Sequence, residues 1–129
     1  MTIEIWSIAL MSLMLLALTM AQGGSVARVQ GFAWGLGSRD ESREYTALQG
    51  RYARTIQNQF ESMLAFVPLM ALAIAFDKTG TLTTIAAWCL IIGRASFIVF
   101  YLSGTFALRS VGYLVGLVGI FLTVWALLG

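Results

Sequence analysis

The sequence predicts an all-α integral membrane protein, a single bundle of four transmembrane helices. Three observations carry that prediction. Hydrophobic residues make up 59% of the 129-residue chain and charged residues only 11%, against about 25% charged in ordinary soluble domains. A single proline leaves long helices almost uninterrupted. Four apolar runs each approach or exceed the roughly 20 residues that cross a hydrocarbon core about 30 Å thick. The chain is therefore read as one domain, 1–129, with spans at about 3–22, 51–76, 82–103 and 108–128.

The first run carries Glu4 and no basic residue in its N-terminal flank. It also exceeds the apolar stretch of about 7 to 15 residues typical of a signal peptide, so it is expected to be a retained membrane helix. The long hydrophilic segment from Gly23 to Gly50 follows, rich in glycine at first and then charged in SRDESREYTALQG. Within it, Asp40, Glu41, Arg43 and Glu44 read as a solvated loop face. The second span, Arg51 to Phe76, would be roughly 39 Å long, more than a bilayer requires, so its polar first turns are expected to reach out of the membrane. Pro68 is expected to kink it by freeing the carbonyl of Leu64. Asp77 to Gly80 form a tight turn, and Gly104 marks the loop between the last two spans. Gly112, Gly116 and Gly119 make a small-residue face on the last span, suited to close helix packing, and Gly93 suits close approach on the third.

Composition also excludes functions. A net charge of +2 is too small to argue for nucleic acid. The absence of histidine removes the usual proton shuttle and argues against zinc or haem. The lone Cys89 lies in an apolar run and is assigned to packing. Arg28, Arg39, Arg43, Arg51, Arg54 and Arg109 flank the first and third loops, whereas Lys78 stands alone at the other end. The positive-inside rule then places those loops in the cytoplasm and the termini outside.

The chemistry is concentrated on polar residues inside the spans. Arg51, Arg54, Asn58 and Glu61 are spaced three, four and three residues apart, which puts them within roughly 90° of arc on one helix face. Arg94 on the third span and Glu61 each lie about ten residues from the cytoplasmic end of their helix, roughly 15 Å deep. They are expected to pair, since each would relieve the other's desolvation. Tyr101 follows Arg94 by seven residues, and Arg109 and Tyr113 are four apart on the fourth span. Together these eight residues predict a cytoplasm-facing pocket with four arginines and one glutamate, suited to a ligand bearing carboxylates. The plainer alternative is inter-helix glue without a ligand.

The motifs resemble the MAPEG family, the membrane-associated proteins in eicosanoid and glutathione metabolism. The resemblance rests on Arg54 followed by Asn58-x-x-Glu61, on Gly93-Arg94 with Tyr101, and on Arg109-Ser110-x-x-Tyr113. It covers nearly the whole chain. It implies a homotrimer with glutathione as co-substrate at subunit interfaces opening to the cytoplasm. Arg28, Arg51, Arg54, Asn58, Glu61, Arg94, Tyr101 and Tyr113 would bind glutathione, Arg109 would stabilise its thiolate, and Ser110 would donate a hydrogen bond. A lipophilic electrophile would arrive from the membrane lipids. Three departures separate the chain from the best-studied members: Phe97 replaces a histidine of the prostaglandin E synthase branch, Gln57 replaces an arginine, and Pro68 lies seven residues after Glu61 rather than about four. They argue against eicosanoid isomerisation.

The leading expectation is thus a glutathione transferase or peroxidase of a bacterial inner membrane, acting on lipophilic electrophiles. The alternative is a non-catalytic protein of the same fold that binds a lipid or anionic ligand. A transporter is disfavoured by the small size and the absence of inverted repeats.

Overall fold

The computed structural model describes all 129 residues, Met1–Gly129. It contains helices and no strand: α1 (Ile3–Gln30), α2 (Phe32–Leu36), α3 (Ala47–Ala75), α4 (Thr81–Ser103) and α5 (Phe106–Leu128). Four of them, all but the five-residue α2, are long and apolar enough to cross a membrane. The expected all-α four-helix architecture is what the chain forms.

The helix ends differ from the expected boundaries for local reasons. α1 runs eight residues past Gln22, through Gly23 and Gly24, because a helical glycine costs only about 1 kcal/mol relative to alanine and weakens a helix without ending it. It stops at Gly31, whose φ of +100° no side-chain-bearing residue adopts readily. α3 starts earlier than Arg51, at a capping box. The amide of Gln49 donates to Thr46 Oγ1 (3.2 Å), and the amide of Thr46 donates to Gln49 Oε1 (2.8 Å), satisfying two otherwise orphaned donors. The same Gln49 exchanges side-chain hydrogen bonds of 2.9 and 2.7 Å with Gln30 at the end of α1. Arg43 donates to the Gln30 carbonyl. The connection between α1 and α3 is therefore clamped at both ends, with α2 inside it, while Asp40, Glu41, Arg43 and Glu44 are exposed as expected.

At the opposite end of the bundle the buried Glu4 accepts hydrogen bonds from the hydroxyls of Thr83 (3.0 Å) and Thr84 (2.9 Å) in the first turn of α4. A carboxylate there faces the positive end of the α4 dipole. Around this end lies the apolar core of Met11, Phe66, Met70, Ala73, Ala86, Ala87 and Leu90. Trp6, Trp88 and Trp125 point outward, as expected of side chains that meet lipid.

The closest helix pair is α4 with α5. A Cβ on Gly93 would lie 2.5 Å from the Gly116 nitrogen and 2.8 Å from the Gly112 carbonyl oxygen; one on Gly112 would lie 2.7 Å from the Phe97 nitrogen. Gly119 leaves equally little room against Leu90 and Ala86. The two backbones touch, which is the packing mode of small-residue faces in membranes. Gly93→Ala is therefore expected to destabilise the protein by about 1 to 3 kcal/mol, the usual cost of overpacking. Gly23→Ala, where a Cβ meets nothing within 4 Å, should instead stabilise α1 by up to about 1 kcal/mol. Thermal unfolding of both variants in detergent, followed by circular dichroism, checks this; an unaltered Gly93→Ala midpoint would contradict the backbone contact.

Candidate functional site

The inner half of the polar stripe on α3, Asn58 and Glu61, lines a cavity of about 170 Å³ shared with α4 and α5. Asn58, Glu61 and Ser62 form its α3 wall, Arg94 and Leu90 come from α4, and Tyr113, Gly116 and Leu117 from α5. The glycine contact between α4 and α5 explains how a long side chain fits here. Arg94 Cδ runs 3.3 Å from where a Cβ of Gly116 would stand, so the aliphatic stem of the arginine packs tightly against the glycine on α5. Arg94 is 1% exposed.

The expected Glu61–Arg94 ion pair does not form. The two side chains line the same cavity, but the only ion pair in the chain is Arg43–Glu41 at 3.9 Å, on the exposed loop. Arg94 Nε instead donates to Gln59 Oε1 at 3.0 Å, and Glu61 accepts from Gln57 Nε2 at 2.9 Å, one turn back on its own helix. The depth match was correct, but helical rotation decides the partner: Gln59 is turned into the bundle, where it is fully buried, while Glu61 stays exposed. Two polar atoms at the cavity have no hydrogen-bond partner in the chain, Asn58 Oδ1 and Arg94 Nη2. One is an acceptor and the other a cationic donor.

A second group of residues extends from the cavity toward the α4–α5 loop. Arg94 lies over the Phe97 ring (4.4 Å to the centroid). Phe97 contacts the rings of Tyr101 (5.3 Å) and Tyr113 (6.3 Å). The Tyr101 hydroxyl accepts from Arg54 Nε at 3.0 Å, and Arg109 stacks on Tyr101 (4.8 Å) and Phe106 (4.9 Å). Phe97 thus supplies an apolar bridge between the cavity and Tyr101, and three arginines from three helices converge on that aromatic row. Cation–π contacts of this kind contribute about 0.5 to 2 kcal/mol each.

The remaining sequence candidates are placed differently. Arg51 Nη1 donates to the Leu102 carbonyl at 3.2 Å, and its guanidinium lies against Gly104, where α4 ends in a left-handed turn (φ +83°). It caps the negative end of α4. Arg28 is exposed and bonds back to the Gly24 carbonyl of its own helix (3.1 Å). Ser110 is exposed and bonds back to the Phe106 carbonyl (3.2 Å). Neither lines the cavity.

The MAPEG family profile matches residues 5–129, essentially the whole chain. The chain belongs to the MAPEG family. No curated protein and no solved structure matches it in its own right. Within this MAPEG chain, Gln59 was legible only as a polar residue in a membrane helix, one position off the stripe, and its burial is set by helix rotation. Ser62 follows Glu61 into the same wall and carried no separate signal.

These partners define a coupling test. In a double-mutant cycle of Gln59→Leu with Arg94→Met, the stability effects should deviate from additivity by about 0.5 to 3 kcal/mol, as for residues in one hydrogen-bond network. Glu61→Gln with Arg94→Met should add within about 0.5 kcal/mol. Unfolding midpoints in detergent give both cycles, and the opposite ranking would restore the Glu61–Arg94 pair.

Proposed function

We propose that this MAPEG protein is a membrane-bound glutathione transferase or peroxidase that acts on lipophilic electrophiles. The observation that carries the reading is the pair of unpartnered atoms at the cavity, Arg94 Nη2 and Asn58 Oδ1, beside the exposed carboxylate of Glu61. Glutathione offers carboxylates to the guanidinium and an ammonium to the amide oxygen and the carboxylate, so its donor and acceptor set is complementary to this one. The cavity of about 170 Å³ is smaller than the roughly 300 to 1,000 Å³ of usual small-molecule sites. One protomer therefore holds part of the ligand, which supports a homotrimer whose neighbouring subunit supplies the remaining wall, with Arg28 as a contributor from its exposed position.

Arg54, Tyr101 and Arg109 form the mouth of the site, with Arg51 holding the α4 end that carries Tyr101. In this reading Arg109 stabilises the glutathione thiolate, since a nearby cation lowers a thiol pKa from about 8.5 toward neutrality. Ser110 assists once its hydroxyl turns from the Phe106 carbonyl. The thiolate attacks the electrophilic carbon, a carbon–sulfur bond forms, the leaving group departs with the electron pair, and the thiol proton goes to water. With a lipid hydroperoxide, two glutathiones supply two electrons and yield the disulfide, an alcohol and water. The arginine-rich loops lie on the cytoplasmic side of a bacterial inner membrane and the termini outside, by the distribution of positive charge.

A second reading, a binding protein without chemistry for a lipid or anionic ligand, is favoured by one observation. Ser110 is satisfied on its own helix and Arg109 is stacked on two rings, so neither is aimed at the cavity. Glutathione-dependent turnover of 1-chloro-2,4-dinitrobenzene and of a lipid hydroperoxide by the purified protein separates the two. Arg109→Ala should lower kcat by about 10²- to 10³-fold, the loss typical of removing one preorganised electrostatic stabiliser. It should also move the alkaline-rising limb of the rate profile to higher pH, because the thiol pKa returns toward its free value. Glutathione binding with no turnover of either substrate would establish the second reading.

A further inference from the structure

Arg94 carries a guanidinium that only donates, is 1% exposed, and has no carboxylate within ion-pair distance. Its only hydrogen-bonding partner is the neutral Gln59, through Nε and Oε1 (3.0 Å). Gln59 is itself fully buried and committed on its other side: Nε2 donates to the Met11 carbonyl of α1 at 3.1 Å and lies 3.5 Å from Met11 Sδ. This arrangement has a direction. A carbonyl only accepts, so the amide nitrogen must face α1, and the amide oxygen must then face α4, where a guanidinium only donates. The reversed amide would set donor against donor on one side and acceptor against acceptor on the other. α1 therefore orients Gln59, and Gln59 orients Arg94. An amide holds the guanidinium without neutralising it, and the other arm of the fork, Nη2, is left without a partner at the cavity.

We propose that Gln59 is the positioning residue of this site: it fixes Arg94 through Nε and, being neutral, leaves the charge to be completed by an anionic group of the ligand. The ligand's identity as glutathione rests on the proposed function; the role of Gln59 does not. A glutamate at this position would neutralise Arg94 in an internal ion pair, while giving up the donor to the Met11 carbonyl. The site would then be satisfied without a ligand, so the neutral amide is what makes the pocket anion-seeking.

Full-length Gln59→Glu, Gln59→Met and Arg94→Met are compared with the unaltered protein in detergent. The readouts are the unfolding midpoint without ligand and the dissociation constants of glutathione and of glutarate, a dicarboxylate lacking thiol and ammonium. Gln59→Glu gains an ion pair with Arg94 but loses the donor to the Met11 carbonyl, so it is read by affinity rather than by its midpoint: it is expected to bind both ligands at least about tenfold more weakly, a loss of roughly 1.4 kcal/mol. Gln59→Met is expected to lose both stability and affinity, and Arg94→Met to lose the response to both ligands. A merely structural Gln59 would lower the midpoint while leaving the dissociation constants unchanged, and unchanged constants in Gln59→Glu overturn the proposal. Should that variant not fold, unaltered affinity in Gln59→Met overturns it instead. If the unaltered protein binds glutarate but not glutathione, the glutathione reading fails, while weaker glutarate binding by Gln59→Glu sustains the positioning role. No response of the unaltered protein to either anion overturns both.

Discussion

The backbone contact between α4 and α5 governs the rest of the molecule. Gly93 and Gly112 bring the two helices so close that no Cβ fits between them, and Gly116 leaves the groove in which the aliphatic stem of Arg94 lies. Dispersion and close approach, rather than water exclusion, drive helix association inside a bilayer. A seam of glycines is the arrangement that uses them best. Because the seam holds Arg94 against α5, the guanidinium can reach only inward, toward α3, and cannot snorkel along its own helix to the interface as interfacial arginines do. The position of the polar cavity follows from this constraint.

Around that fixed cation the bundle separates into two regions. Toward the start of α1 and the end of α3, the interior is apolar and closed at its edge by Glu4 on the first turn of α4. Toward the arginine-rich end, the interior is polar and aromatic, held by single hydrogen bonds and ring contacts such as Arg54–Tyr101 and Arg109–Tyr101. Apolar packing and the polar cluster thus occupy different ends of the same helices. Gln59 sits at the boundary and touches both: Met11 belongs to the apolar core, and Arg94 to the cavity.

Much of this was legible in the sequence, because membrane helices obey strong length and polarity rules. The four helices, the glycine face of α5 and the convergence of Asn58, Glu61, Arg94 and Tyr113 on one cavity all follow from period and depth. What the sequence did not disclose was rotation. Depth along a helix is set by counting residues, but which of Gln59 and Glu61 turns toward Arg94 depends on how α3 packs on α1 and α5. The capping box of Thr46 and Gln49 was readable as T-x-x-Q, but it was obscured by treating the charged loop as one piece. Glu4 served only as an argument about the N-terminal flank, since its partners Thr83 and Thr84 lie some 80 positions away and no local pattern joins them.

The glycine seam also bears on how the chain assembles. It joins helices that are consecutive and separated only by Gly104 and Thr105, so closing it costs little chain entropy. α4 and α5 are thereby expected to dock as a hairpin before their contacts with α1 and α3, which demand wider loops to close. In that hairpin the Arg94 guanidinium would still await Gln59. The helix pair would then carry an unsatisfied cation in the bilayer until α3 and α1 arrive, a penalty of a few kcal/mol that favours their docking in the one orientation that brings the amide oxygen to it.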